Sequence, residues 1–482
     1  MQFFGLVRNH VFWLLLVTLL TLFVQRSYYD HRQMLNPLTV QSNDTPEHLN
    51  PSDNLIEKGI YSYDGTTAYA ARMPGYAFPY VMVRWAFDQE TSRLILIVLQ
   101  ILLYCAAIAL SFSWLSERYG PTMAFSGLAK LVVFNYVTHV HFRLLPVSFA
   151  ISLVLILLYL HHRLLRTEHF RFNLGVIFGA LLTWLVFLRP FFLPIALLWP
   201  LVILWQRGKW SLKALAVFFV PFALVEGAWI GRNYAAFDAF IPLQTTFTNT
   251  DGIDHYSATA TKQSVLHLRP FISGFGGDNV WYFPGSQMAW FIRADDAREV
   301  SQVFPAQVFN AGITKNELEG LKATIVESYK VYNPEAEEQI AVTADDLTNR
   351  LRANSWFDFY VVARIKSLSS MVAMNVSQDW PMPPFAQSSI LGKAYRLISV
   401  ALWAVVFAGG LLLGVPRLFK KRSFELVLIL FGLTFIFVYL VQFLHYQYFV
   451  FAWMAAFFIW MDVISELPVI SRIMKAFRLS SS

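Results

Sequence analysis

The 482-residue chain has one cysteine, Cys105, inside an apolar run, so no intrachain disulfide framework exists and cysteine pairing says nothing of the compartment. Charge is scarce: 14% of residues are charged against 56% hydrophobic, which excludes an ordinary soluble domain and a charge-rich disordered chain. Nucleotide and metal signatures are missing too. There is no Walker loop, no GxGxxG, no HExxH and no paired CxxC, so ATP-driven transport, dinucleotide redox chemistry and a zinc site of usual spacing lack support. No repeat at solenoid spacing and no low-complexity tract occurs. The net charge of +7 does not mark a nucleic-acid partner, because lysines and arginines collect in short stretches between apolar runs.

Those runs are what the chain has in abundance. A helix needs about 20 apolar residues to cross about 30 Å of hydrocarbon. Candidate spans fall at 9–25, 92–115, 122–141, 145–162, 172–188, 190–206, 213–231, 397–415, 424–443 and 447–465. They predict an all-α polytopic membrane protein with about ten, and at most about twelve, transmembrane helices. The runs 172–188 and 190–206 form one stretch broken at Arg189-Pro190, where proline cannot continue the helical hydrogen bonding. No small-residue cleavage site follows the first run, so it reads as an uncleaved anchor.

Orientation follows from the basic residues. Arg8, Arg118, Arg163, Arg166, Arg207 and the run Arg417 to Arg422 fall on one side, whereas the short turns of the other side carry only Arg143 and Arg189. Both termini are therefore expected in the cytoplasm, with 26–77 and 232–395 outside it. This divides the chain into a membrane module 1–231 with its first loop 26–77, an extracytoplasmic region 232–395, and C-terminal spans with a basic tail, 396–482. In the middle region, 315–329 and 344–372 have helical apolar spacing, and the second is expected to lie along the membrane surface.

The first loop, NDTPEHLNPSDNLIEKGIYSYDG followed by RMPGYAFPY, carries a carboxylate at Asp44 and a basic residue just before Pro74-Gly75-Tyr76. Further on come FLRPFFLPIALLW (187–199) and WIGRNYAAFDAFIPLQTT (229–246). In this order, on the predicted outer face, these stretches resemble the GT-C membrane glycosyltransferases, among them protein O-mannosyltransferases and the aminoarabinose transferase of lipid A. The likeness touches points within about the first 250 residues, and the last spans match in topology alone. One departure stands out: the outer turn THVHFRLLP (138–146) has no carboxylate where many relatives have one.

The resemblance implies transfer of a sugar from a polyprenyl-phosphate donor to an extracytoplasmic lipid, glycan or protein acceptor, in a bacterial inner membrane. It makes Asp44 the expected general base, since an acceptor hydroxyl must lose its proton as it attacks. Glu47 and Asp53 are the fallbacks, and Asp44 also suits a helix cap before Thr-Pro. The leaving phosphate calls for positive charge, and Arg72, Arg189 and Arg232 near the outer interface are the candidates. Each of them also suits an interfacial anchor. His139, His141, Glu226, His445 and Tyr446 are candidates to line the same cavity, with an aromatic belt the plainer reading of the last two. No cofactor is implied, and a requirement for a divalent metal, Mg or Mn, stays open. Two other classes fit the topology: a transporter or flippase of polyprenyl-linked saccharides, and a non-catalytic membrane scaffold. The lack of repeated helix blocks argues against the former, and the Asp44 loop against the latter.

Overall fold

The computed structural model describes residues 2–30, 45–133, 139–208, 211–244, 267–278, 285–328, 333–369, 389–419, 423–441 and 446–468. Among them every regular element is helical and no β-strand occurs. The chain forms two compact units: Met1–Gln244 with Val376–Leu433 and Val450–Ser482, and Thr245–Asn375 with Thr434–Phe449.

The first unit begins with α1 (Gln2–Asp30), followed by two helices of the first loop, α2 (Thr45–Lys58) and α3 (Ala77–Arg84). Then come α4 (Gln89–Tyr119), α5 (Pro121–Val133), α6 (Pro146–Arg166), α7 (Phe172–Leu188), α8 (Leu193–Arg207) and α9 (Leu212–Phe237). The second unit holds α10 (267–274), α11 (Gln287–Ile292), α12 (Val300–Val303), α13 (Ala306–Asn310), α14 (Lys315–Ser328), α15 (Pro334–Asn354) and α16 (356–369). The chain closes with α17 (Ile390–Gly414), α18 (Phe424–Phe435), which continues as a π-helical turn Ile436–Val441, and α19 (Tyr446–Glu466).

Among the described residues, 6 helices are long and apolar enough to cross a membrane: Gln89–Tyr119, Pro146–Arg166, Pro190–Arg207, Leu212–Phe237, Val400–Phe419 and Phe449–Glu466. Shorter apolar helices, Asn9–Val24, Pro121–Val133, Phe172–Leu188 and Phe424–Leu440, occupy the remaining predicted runs. These helices fit an integral membrane protein. Of the run expected over 122–141, Pro121–Val133 is helical and His139–Phe142 form a 3-10 turn, while 134–138 lie outside the described residues. At the predicted break, α7 stops at Leu188, Arg189 is extended, and Pro190–Phe192 form a 3-10 turn into α8.

Local chemistry sets these boundaries. The Asp88 carboxylate accepts the Thr91 N–H at 3.0 Å to start α4, and Gly120, with φ 87°, ends it in a conformation glycine tolerates. Pro146 opens α6 at a position where its missing N–H is no loss. Helix α6 is apolar on all sides, and its side chains from Val147 to Leu158 are buried but for Ile156, as expected of a central helix. It packs on α4 and α7, and α7 packs on α9. Gly179 permits that last approach, since a β-carbon there would strike the Phe218 carbonyl.

One end of this bundle is tied by charge. Asp462 of α19, 1% exposed, accepts from Arg118 Nη2 at 2.9 Å and Tyr119 Oη at 2.8 Å through one oxygen. Its other oxygen accepts from Arg417 Nε at 3.1 Å and Ser423 Oγ at 2.5 Å. Glu425 extends the cluster, accepting from Gln206 Nε2 at 3.0 Å, with Arg118 at 3.5 Å and His161 at 3.5 Å. Arg118 and Arg417 thus act inside the protein, not as the loop charges that the sequence suggests. Removing one partner of such a cluster strands the others without water. Asp462→Ala is expected to cost about 3–5 kcal/mol, measured as a lowered unfolding transition in detergent, whereas Glu466→Ala at the exposed rim leaves it near wild type.

The second unit packs around Phe271, Phe275, Trp290, Phe291 and Phe304, with Leu318, Leu347 and Phe359 closing the core. Glu317 caps α14: it accepts the Thr314 N–H at 2.7 Å and pairs with Arg350 at 2.7 Å. The Thr314 backbone bond and Arg350 hold its carboxyl down to about 2.

Candidate functional site

The first loop is fastened to the end of the bundle formed by the starts of α4 and α6 and the ends of α7 and α9. Thr45 Oγ1 donates to the Leu144 carbonyl at 3.1 Å, fixing the first residue of α2 beside the turn before α6. Asp53, midway along α2, accepts from Tyr80 Oη at 2.9 Å, Arg84 Nε at 3.1 Å and Gln89 Nε2 at 2.7 Å. Those bonds lock α2 to α3 and the start of α4, so Asp53, a fallback base on sequence, is spent as a structural hub.

The RMPGY return is the second anchor. Trp184 Nε1 donates to the Gly75 carbonyl at 2.8 Å. Gly75 lies so close to the backbone of Phe187 and Leu188 that a β-carbon would collide with both. The Tyr76 hydroxyl donates to Gln100 at 2.7 Å, and Gln100 passes the contact on to the carbonyls of His141 at 2.9 Å and Arg143 at 3.0 Å. These links gather sequence-distant candidates at one end of the bundle. Arg72 forms an ion pair with Glu47 at the start of α2. Arg189, 9% exposed, follows the Phe187-Leu188 seat of Gly75 directly.

Arg232 closes the same end from α9. It donates to the carbonyls of Tyr69 at 2.9 Å and Tyr61 at 3.0 Å and to Asn233 at 2.8 Å, and stands 5.6 Å from the Tyr61 ring. Tyr61 Oη in turn donates to the Arg72 carbonyl at 3.2 Å. Burial drives the Tyr61 phenol far above its ordinary pKa, against the pull of Arg232 and Arg72, so it remains a neutral donor. Asp64 sits in the adjoining turn; burial would raise its pKa, but the N–H groups of Thr66 and Thr67 and the Ser62 hydroxyl hold it well below the carboxylate range.

Glu226 and Asn233 serve the exit from α9. Glu226 accepts the Leu243 N–H at 2.6 Å, Trp229 Nε1 bonds the Leu243 carbonyl, and Asn233 Nδ2 donates to the Ile241 carbonyl at 3.0 Å. They hold a segment in which Asp238 and Leu243 have φ of 52° and 56°, a region costly for residues with a side chain. The second Glu226 oxygen is buried with no hydrogen-bond partner. His141 lies inside the bundle, fully buried, stacked on Tyr104 at 3.8 Å and sharing a hydrogen bond with Ser148 at 2.8 Å.

Asp44 and His445 lie outside the described residues, and His139 and Tyr446 are described as backbone only. Among the described residues no group of three or more His, Cys, Asp or Glu side chains could hold a metal ion. No protein-family model matches the chain, and no curated protein matches it. The arrangement presents paired and buried guanidinium groups around a loop whose backbone is held in place, which suits an anionic group with a carboxylate beside it. Gly75→Ala should unseat the loop, lowering stability by about 1–3 kcal/mol and opening 59–76 to limited proteolysis, while Gly320→Ala in α14, whose β-carbon meets nothing within 4 Å, should leave that segment protected.

Proposed function

We propose that the protein is a membrane glycosyltransferase of GT-C type, taking a sugar from a polyprenyl-phosphate donor to an extracytoplasmic acceptor. In this reading about ten helices span a bacterial inner membrane with both termini in the cytoplasm. One observation carries it. The first loop is anchored by the Gly75 seat and by Arg232 to the end of the bundle that carries buried Arg189, and within it Glu47 pairs with Arg72.

The chemistry needs a base and a charge sink. As the acceptor oxygen attacks the anomeric carbon, its proton passes to the Asp44 carboxylate. The bond from that carbon to the phosphate oxygen breaks, and the electron pair leaves with the lipid phosphate. A single displacement inverts the anomeric configuration. Arg72 and Arg189 face the charge that builds on the phosphate, and Glu47 orients Arg72. Arg232 is a positioning residue: its donors go to the carbonyls of Tyr61 and Tyr69, so it holds the loop while adding field.

The test is turnover of radiolabelled polyprenyl-phosphate sugars by the full chain in nanodiscs with a cell-envelope extract as acceptor. Wild type should release label from the carrier. Asp44→Asn should reduce release by about 10²–10⁴-fold and Arg72→Gln by about 10²-fold, with unchanged elution on size exclusion. Equal turnover by Asp44→Asn would remove the base from Asp44. Intact labelled lipid crossing proteoliposomes, with no sugar released, would replace the transferase with a transporter.

A further inference from the structure

The second unit contains a buried cation that the transferase reading does not use. Arg364, in α16, is 3% exposed. Its Nη1 donates to the Ser273 carbonyl at 3.2 Å, and its Nε is buried with no hydrogen-bond partner. No carboxylate pairs with it among the described residues. A second guanidinium lies close by. Arg352 stands 5.3 Å from the Phe359 ring and Arg364 stands 5.0 Å from the same ring. Arg364, buried without a counter-ion and sharing a ring with the exposed Arg352, marks an unfilled anion site, since burying a guanidinium without a partner is costly. Burial lowers the Arg364 pKa, the Tyr439 and Tyr360 hydroxyls oppose this, and Arg352 adds to it.

Two features say where the anion comes from. The Tyr439 hydroxyl donates to the Tyr360 carbonyl at 3.2 Å, joining the π-helical turn Asp358–Val362 to the π-helical turn that ends the apolar helix Phe424–Leu440. This joins α16 to the end of an apolar helix. On α16 itself Trp356, Phe357 and Ile365 are 63%, 60% and 62% exposed, beside the exposed Lys366. Aromatic and aliphatic side chains rimmed by basic ones are the pattern of a helix lying in the interface.

We propose that Arg364 and Arg352 seat the phosphodiester headgroup of an anionic membrane lipid, with Trp356, Phe357 and Ile365 lying at the border of its acyl chains. The free edge of a guanidinium matches two phosphate oxygens, which a neutral donor cannot do. This site is independent of the sugar-transfer reading and stands if that reading fails.

The experiment places the full chain in nanodiscs of phosphatidylcholine doped with brominated phosphatidylglycerol or brominated phosphatidylcholine. Quenching of Trp356 is read as the difference between wild type and Trp356→Phe. Wild type should be quenched by both and should prefer phosphatidylglycerol. The preference should fall about tenfold in Arg364→Gln, fall in Arg352→Gln, whose exposed side chain spares folding, and fall less in Arg364→Lys, which keeps the charge without the fork. An unquenched Trp356 would overturn the bilayer contact. Unchanged preference in both glutamine variants, or none in wild type, would overturn the headgroup seat. Loss of the preference on adding inorganic phosphate at constant ionic strength would assign the site to a soluble anion instead.

Discussion

Everything in the first unit hangs on a carboxylate that water cannot reach. Asp462 accepts from four residues, Arg118, Tyr119, Arg417 and Ser423, and so fills both of its oxygens. An isolated charge at that depth would cost several kcal/mol, and the surrounding donors repay this only while all of them are in place. The cluster therefore acts as an all-or-none latch between α4, α19 and the turn after α17. In a bundle where lipid is as apolar as leucine, burial alone gives helices little reason to choose partners, and polar contacts of this kind supply the choice.

The opposite design problem arises where the first loop meets the bundle. There the protein needs irregular backbone held still, and it does so by aiming side chains at carbonyls and N–H groups. Arg232, Asn233, Trp184 and Glu226 each bond the main chain of another segment. Satisfying backbone groups in this way is what makes non-helical chain tolerable beside a membrane. It also pre-orders the loop that carries the Glu47–Arg72 pair, leaving that segment little conformational entropy to lose.

The helices were legible because about 20 apolar residues leave few alternatives in a membrane protein, and the Arg189-Pro190 break because proline removes a donor. The latch was not. Arg118 and Asp462 are 344 residues apart, and near a run of basic residues an arginine looks the same whether it faces headgroups or a buried aspartate. Glu226 did signal itself, as a carboxylate in an apolar helix that must find a partner. Its partner is a backbone N–H at Leu243, which no residue type encodes. Asp53 read as a fallback base because its donors, Tyr80, Arg84 and Gln89, come from the next two helices and leave no mark in the sequence around it. Arg364 went unnoticed in a helix whose spacing already explained its neighbours. A basic residue on the buried face of that pattern was the available sign.

The central claim is that the anchored first loop forms the lip of a site for a lipid-linked phosphate. The most direct measurement is photolabelling of the full chain with a polyprenyl phosphate carrying a diazirine beside the phosphate, followed by peptide mapping with and without excess sugar-bearing donor. The account predicts label on 45–76 and on the Phe187–Phe192 break, suppressed by the competitor. Label confined to other segments, or label on these that the competitor leaves untouched, would contradict it.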